Sequence, residues 1–442
     1  MKNFIETLKN IWRIEELRNR ILITLGLLLV FRIGSFIALP GVDSTRLGSA
    51  SGAGSGLVDL LSIFTGGAFT RASIFALGVM PYISASIIMQ LAGIAVPMVQ
   101  KMQKEESGRR KINQWTRYMT ILICVFQAPG YLLTYVDAAA RPEGQFWMFT
   151  SIVILTVGTL FVMWLGERIT ERGLGNGISL IIMIGILARL PESFLQEFIG
   201  RATGGGGMVV ILLEVVFWLV IIAFNVMLVQ GTRRIPVQFA KRVQGNKQYG
   251  GVRNYIPLKV NAAGVMPIIF AQAIVLVPMY IAQMPVWDGN PPMWLQQFAN
   301  YESFPYNLTL FLMVVAFTYF YTAITVNPNQ LSDDLKRNGG FIPGIKPGKQ
   351  TAGYIDDLLS RITLPGSIFL GLVAILPAFV GMAGVKQGFA QFYGGTSLLI
   401  MVGVMLDTLQ QIESYLLMRH YDGLMKSGRI KGRTSGAFGL AG

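Results

Sequence analysis

The 442-residue chain is 52% hydrophobic and 14% charged, where a soluble domain carries about 25% charged residues, so much of its surface does not face water. Its net charge of +14 lies between apolar runs rather than over one soluble face. One cysteine, Cys124, and one histidine, His420, exclude an intrachain disulfide and a Cys/His zinc centre, and they leave no metal, cofactor or catalytic set to name.

Residues 1–20 carry Lys2, Lys9, Arg13, Arg18 and Arg20, with Phe4, Ile5, Leu8, Ile11 and Trp12 on one helical face. The pattern predicts an amphipathic helix on the membrane surface, not a cleavable signal peptide. A spanning helix needs about 20 mostly apolar residues. Ten runs qualify: 21–39, 73–96, 117–136, 147–166, 178–190, 208–230, 262–284, 307–327, 363–382 and 394–417. The fifth is short. Pro81, Pro267 and Pro377 interrupt the second, seventh and ninth, which is tolerated where neighbouring helices satisfy the freed backbone groups. Between the first two runs, residues 41–56 are rich in Gly and Ser, and 57–69 read LVDLLSIFTGGAF. That stretch is too short to span. It fits a re-entrant, plug-like helix hinged at Gly66 and Gly67, or a helix on the outer surface.

Ten spans put both termini on one side. Taking that side as cytoplasmic places 30 of the 37 Lys and Arg residues there. The other side holds Arg46, Arg71, Arg141, Arg189, Arg201 and Lys386, and Arg32 lies within the first span. This is a positive-inside distribution, and one missed span would destroy it. Five spans precede the glycine run at 204–207 and five follow. The reading is an all-α membrane protein whose halves, 21–200 and 201–418, are inverted relative to each other, with a basic tail at 419–442.

Two cytoplasmic loops exceed what topology requires. Residues 231–260 alternate apolar and polar around a Gln-Gly-Asn-Lys turn, which predicts a hairpin. Residues 328–361 combine short helical pieces with a Pro/Gly-rich tip, FIPGIKPG. Their patterning favours docking of a partner over general attraction to anionic lipid. Charge within the spans is sparse. Glu214, Asp407 and Glu413 are expected to make buried structural hydrogen bonds, and no relay of acids and His appears. A lining would have to be apolar or weakly polar. Ile83 and Ile87, like Ile182 and Ile186, share a helical face, a spacing that by itself fits core or lipid contact.

Five segments in order resemble the SecY family: TGGAFTRASIFALGVMPYISASIIMQL, GERITERGLGNGISLIIMIGI, PLKVNAAGVMPIIFAQ, FIPGIKPGKQTAGYID and FYGGTSLLIMVGVMLD. They extend from the segment before the second span to the tenth. The resemblance implies ten helices in two inverted halves around an hourglass pore in the cytoplasmic membrane. It implies a channel that passes unfolded preproteins across the membrane and releases membrane proteins sideways. A secondary solute transporter is the alternative.

By motif match, the pore ring falls on Ile83, Ile87, Ile182, Ile186, Ile269 and Ile400. The plug corresponds to 57–69, with Leu57, Leu60, Leu61, Ile63, Phe64, Gly66 and Gly67. A lateral gate that binds signal sequences would involve Ser86, Gln90, Gln127 and Gln272. Lys241, Arg242, Lys346 and Lys349 fall in the loops that dock the ribosome or the SecA motor ATPase. The family commonly has Arg where Lys346 stands, and Lys lacks the planar fork of a guanidinium. SecE and SecG subunits and surrounding membrane lipids complete the implied partners. No GxxxxGK[ST] loop is present, so no nucleotide hydrolysis and no enzyme activity is implied.

Overall fold

The computed structural model describes residues 12, 14–43, 62, 64–136, 140–142, 145–204, 207–239, 242–244, 247–249, 253–282, 292–299 and 303–426. In chain order these form α1 (Glu15–Gly34), α2 (Met80–Ala95), α3 (Pro97–Lys104), α4 (Glu106–Thr134), α5 (Gln145–Arg172), α6 (Gly177–Gly204) and α7 (Gly207–Gln230). The strands β1 (Thr232–Phe239), β2 (Arg242–Gln244), β3 (Lys247–Tyr249) and β4 (Arg253–Lys259) follow. Then come α8 (Met266–Ala282), α9 (Met293–Ala299), α10 (Phe304–Thr325), α11 (Pro328–Arg337), β5 (Gly340–Phe341), α12 (Lys349–Met382), α13 (Gln387–Ala390) and α14 (Gly395–Lys426).

A helix falls on each of the ten predicted runs: α1, α2, α4 to α8, α10, α12 and α14. Among the described residues, α5, α6, α7, α10, α12 and α14 are each long and apolar enough to cross a membrane. The other four are weaker for plain reasons. α2 and α8 have 16 and 17 residues. α1 carries Arg18, Arg20 and Arg32, and the first half of α4 is polar.

Several boundaries differ from the expectation. The amphipathic helix at 1–20 lies outside the described residues except near its end, where Glu15 already begins α1. The second span starts at Met80, not at 73, because 65–79 is a buried chain of turns. Gly66, Gly67 and Gly78 have positive φ there, as does Ala72. Pro81 then sits in the first turn of α2, and Pro267 is the second residue of α8, where a missing N–H costs little. Pro377 is inside α12, as expected.

The fifth span is not short: α6 runs for 28 residues through Pro191. Glu197 and Arg201, beyond the expected end at 190, are paired within the protein, as described below. α12 begins at Lys349 and so absorbs the end of the second loop. α14 continues to Lys426, past the expected start of the tail at 419.

Packing follows chain order within each half. α2 packs on α4, α4 on α5, and α5 on α6 and α1; α8 packs on α10, α10 on α12, and α7 on α14. α6 also packs on α7 and α14, which joins the halves along one flank. The first core cluster takes in residues of α4 (Cys124, Ala128, Tyr131), α8 (Ile268, Ala271, Val275) and α10 (Tyr306, Leu310, Val314), and so draws on both halves.

Candidate functional site

None of the six isoleucines of the expected ring is exposed. Ile182, Ile186 and Ile400 are buried in one apolar cluster, and Ile83 and Ile269 pack against it, half-buried. They come from α6, α14, α2 and α8, so four helices from both halves converge there. Ile87 is half-buried on α2 and outside that cluster.

Phe64 packs against the same cluster. Its neighbours are held by backbone proximity. A Cβ on Gly185 would lie 2.8 Å from the Phe64 carbonyl oxygen and 3.2 Å from the Gly66 nitrogen. Gly185 stands between Ile182 and Ile186 on α6, so only glycine lets this segment reach the helix beside those isoleucines. Gly66 and Gly67, at φ +64° and +85°, give the turn that returns the chain. Gly67 N donates to the Ser62 carbonyl at 2.8 Å, and Phe69 N donates to Thr65 Oγ1 at 3.2 Å. Leu57, Leu60, Leu61 and Ile63 lie outside the described residues.

The arginine within the first span has a purpose in this arrangement. Arg32 Nη1 donates to the Gly66 carbonyl at 2.8 Å. Its guanidinium and that of Arg71 lie 4.8 and 4.4 Å from the centre of the Phe36 ring. Arg189 on α6 donates to Ser62 Oγ. Arginines from α1 and α6 thus grip the segment beside the isoleucines. The charge at Arg32 was visible in the sequence, whereas its partner is a backbone carbonyl that no motif identifies.

The polar gate candidates separate into different settings. On α2, Gln90 Nε2 donates to Ser86 Oγ at 3.4 Å, and Gln90 Oε1 accepts from Tyr321 Oη of α10 at 3.2 Å. Gln272 is 8% exposed and accepts from Thr396 Oγ1 of α14 at 3.1 Å, so that bond stays within the second half. Gln127 is exposed on α4. Sequence reasoning missed Tyr321 and Thr396.

The opposite flank is built from charge. Glu197 of α6 is 3% exposed and pairs with Arg201 at 2.9 Å. Arg201 also pairs with Glu214 of α7 at 2.8 Å and donates to the Gly384 carbonyl at 2.6 Å. Lys386 adds its backbone N–H to Glu197 at 2.8 Å and its Nζ to the Gln196 carbonyl at 2.8 Å. Glu214 therefore has the buried structural role expected of it. Asp407 and Glu413 do not: both are exposed, in the middle of α14 beyond buried Val404.

The two long loops form one platform. β1 pairs antiparallel with β4, matching Thr232 to Lys259 through Gln238 to Arg253. β2 and β3 close the predicted hairpin at its tip. β5, from the second loop, then joins the other edge of β1, giving the order β4-β1-β5. Ile235 and Val237 alternate inward and share a core with Leu258, Leu335, Ile342, Ile355 and Leu359. The tip is ordered by Gly344 at φ +85° and Gly348 at φ +104°, and Ser332 Oγ donates to the Gly348 carbonyl at 2.8 Å. Lys346 and Lys349 project from it, exposed. Arg242 lies in β2, and Lys241 lies outside the described residues.

A family model described as SecY matches residues 73–409. A protein translocase subunit SecY of Streptomyces galbus is 42% identical over 434 residues, covering 94% of this chain and 98% of its own. The chain belongs to the SecY family. Its function is that of the family, protein translocation through a protein-conducting channel. Two solved structures share the fold. One, described as a protein-conducting channel, has a TM-score of 0.65 at 16% identity and covers 94% of this chain and 95% of that one. The other, canine Sec61 in a ribosome–channel complex from the endoplasmic reticulum, has a TM-score of 0.61 at 16% identity, with 94% and 95% covered.

Proposed function

We propose that this chain forms the pore of a translocon in a cytoplasmic membrane, with both termini on the cytoplasmic side. The carrying observation is the convergence of Ile83, Ile182, Ile186, Ile269 and Ile400 from four helices on one apolar cluster, with Phe64 beside them. A narrow apolar constriction resists wetting and so blocks ions and water. Aliphatic side chains ask for no particular hydrogen bond, so they yield to a passing chain of any sequence. In this reading Ile87 joins the ring from the accessible side of α2.

Residues 57–69 are the plug, rooted at Gly66 and Gly67 and held by Arg32 and Arg189. Its withdrawal clears the external side of the ring. Ser86, Gln90, Gln127 and Gln272 belong to a lateral gate between α2 and α4 on one side and α8 and α10 on the other. A signal sequence opens the gate because it binds the open state better than the closed one. Chemistry is left to partners, and no residue here acts as a catalyst.

The platform bearing Lys241, Arg242, Lys346 and Lys349 docks a motor ATPase of the SecA type or a ribosome. The fold it shares with the ribosome-bound canine channel supports the second partner. Small subunits of the SecE and SecG types pack against the exposed apolar helices, α7 above all, where Met208, Val209, Leu212 and Leu213 face outward.

The test is a photocrosslinking residue at Ile83 or Ile269 in a complex with a secretory precursor stalled partway. Adducts to the precursor are expected at both positions. Their absence from a complex shown to be translocating would overturn the ring.

A further inference from the structure

The segment GERITERGLGNGISLIIMIGI contains a turn at 173–177 that the isoleucine-ring reading, on which this inference rests, leaves without a task. The turn joins α5 to α6 and is fixed to the first half. Leu174 N donates to Thr24 Oγ1 of α1 at 3.0 Å, and Gly177 N donates to Thr170 Oγ1 of α5 at 2.9 Å. Arg20 Nη1 of α1 donates to the Gly173 carbonyl at 3.4 Å. Gly175 instead faces the second half: its N–H donates to Gln411 Oε1 of α14 at 2.8 Å. Gly175 has φ +73°, and a Cβ there would lie 3.3 Å from Thr408 Oγ1, so the turn sits directly against α14. One helical turn beyond Gln411, the Tyr415 ring lies 5.2 Å from the Arg20 guanidinium carbon.

Gly175 precedes α6 and meets Gln411 late in α14, whereas Glu197 late in α6 meets Lys386 ahead of α14, so the two helices are antiparallel. Ile186 stands eleven residues after Gly175, and Ile400 stands eleven before Gln411, about three helical turns in each case. The bond at the turn therefore goes with Ile186 and Ile400 at one level. Ile182 lies one turn nearer the Gly175 end. All three are buried in the same apolar cluster. Aliphatic contact is non-directional, and packed helices interlock through ridges that repeat every fourth residue. Apolar packing alone thus admits a second seating one turn away, with Ile400 opposite Ile182. A hydrogen bond to a turn already held by α1 and α5 selects one seating.

We propose that Gln411 is a positioning residue of the channel: its bond to Gly175 sets the register of α14 on α6 and so holds Ile400 level with Ile186 in the ring. Losing one neutral hydrogen bond shifts an equilibrium between two seatings about fivefold.

The experiment uses the full chain in membrane vesicles, with Cys124→Ala removing its one native thiol. Two double variants are compared, Ile186→Cys with Ile400→Cys and Ile182→Cys with Ile400→Cys, and the initial rate of oxidative disulfide formation is read for each. The pair at 186 and 400 should close faster. Gln411 is exposed, so its substitutions leave the fold intact. Gln411→Leu removes the acceptor and should lower the ratio of the two rates about fivefold, whereas Gln411→Glu keeps an acceptor oxygen and should restore it. A general loosening of the protein would change both rates alike and leave the ratio where it was. A faster pair at 182 and 400 with Gln411 in place, or a ratio that Gln411→Leu does not move, would overturn the proposal. The ring is read separately, by a photocrosslinker at Ile400 against a stalled precursor. No adduct there, with the ratio still shifted by Gln411→Leu, would overturn the ring and leave the register standing.

Discussion

The two flanks where the halves of this channel meet are closed by different physics. Where α6 passes into α7, Glu197, Arg201, Glu214 and Lys386 tie both halves and the segment around Gly384 by ionic and charge-assisted bonds. On the other flank, one apolar cluster takes in side chains of α4, α8 and α10, and α2 meets α10 through a neutral Tyr321–Gln90 bond. Separating buried charges strands them in a medium that cannot solvate them. Separating apolar faces costs only their exposure, and an incoming apolar segment or lipid covers them again. In the proposed reading the ionic flank is the hinge and the apolar flank is the gate.

The largest expected effect comes from breaking the hinge. Arg201→Ala leaves Glu197 and Glu214 buried without their partner, and should cost about 3–5 kcal/mol. Thermal unfolding of the purified protein in detergent measures it. A loss no larger than that of an exposed arginine such as Arg110 would show that the cluster does not hold this flank.

A smaller effect is expected where the segment around Phe64 meets the isoleucine cluster. Gly185→Val forces a branched side chain against the Phe64 carbonyl, a strain of about 1–3 kcal/mol that is relieved if the segment moves away from α6. The resting channel should then leak ions in a planar bilayer. A channel as silent as the original would show that the contact at Gly185 does not help seal it. The loss of the Tyr321–Gln90 bond, worth about 1 kcal/mol, is the mildest of these changes and acts only on the gate flank.

Apolar runs and basic loops made the ten helices and the hairpin at 231–260 legible, because both follow from local pattern. The length of α6 was not legible. Glu197 and Arg201 look like solvent-side residues until their partners, Lys386 before α14 and Glu214 on α7, are known. The late start of α2 was hidden for a related reason: 73–79 continues the apolar run of α2 in sequence but lies in a chain of turns with Gly66, Gly67 and Gly78 at positive φ. The isoleucine spacing fitted a core as well as a ring, and family motifs selected those residues. The joining of two loops by β5 depends on pairing across about a hundred residues, counted from the strand positions, and local pattern does not encode it. Tyr321 and Gly185 escaped for the same reason, since each acts through a partner far away in the chain.

The division into hinge and gate is tested most directly by distances across both flanks in one sample. Spin labels at exposed Leu122 on α4 and Leu312 on α10 report the gate, and labels at exposed Leu195 on α6 and Val209 on α7 report the hinge. When a precursor is stalled in the channel, the gate distance should lengthen while the hinge distance stays as in the resting protein. A hinge pair that separates as far as the gate pair, or a gate pair that does not move, would contradict the account.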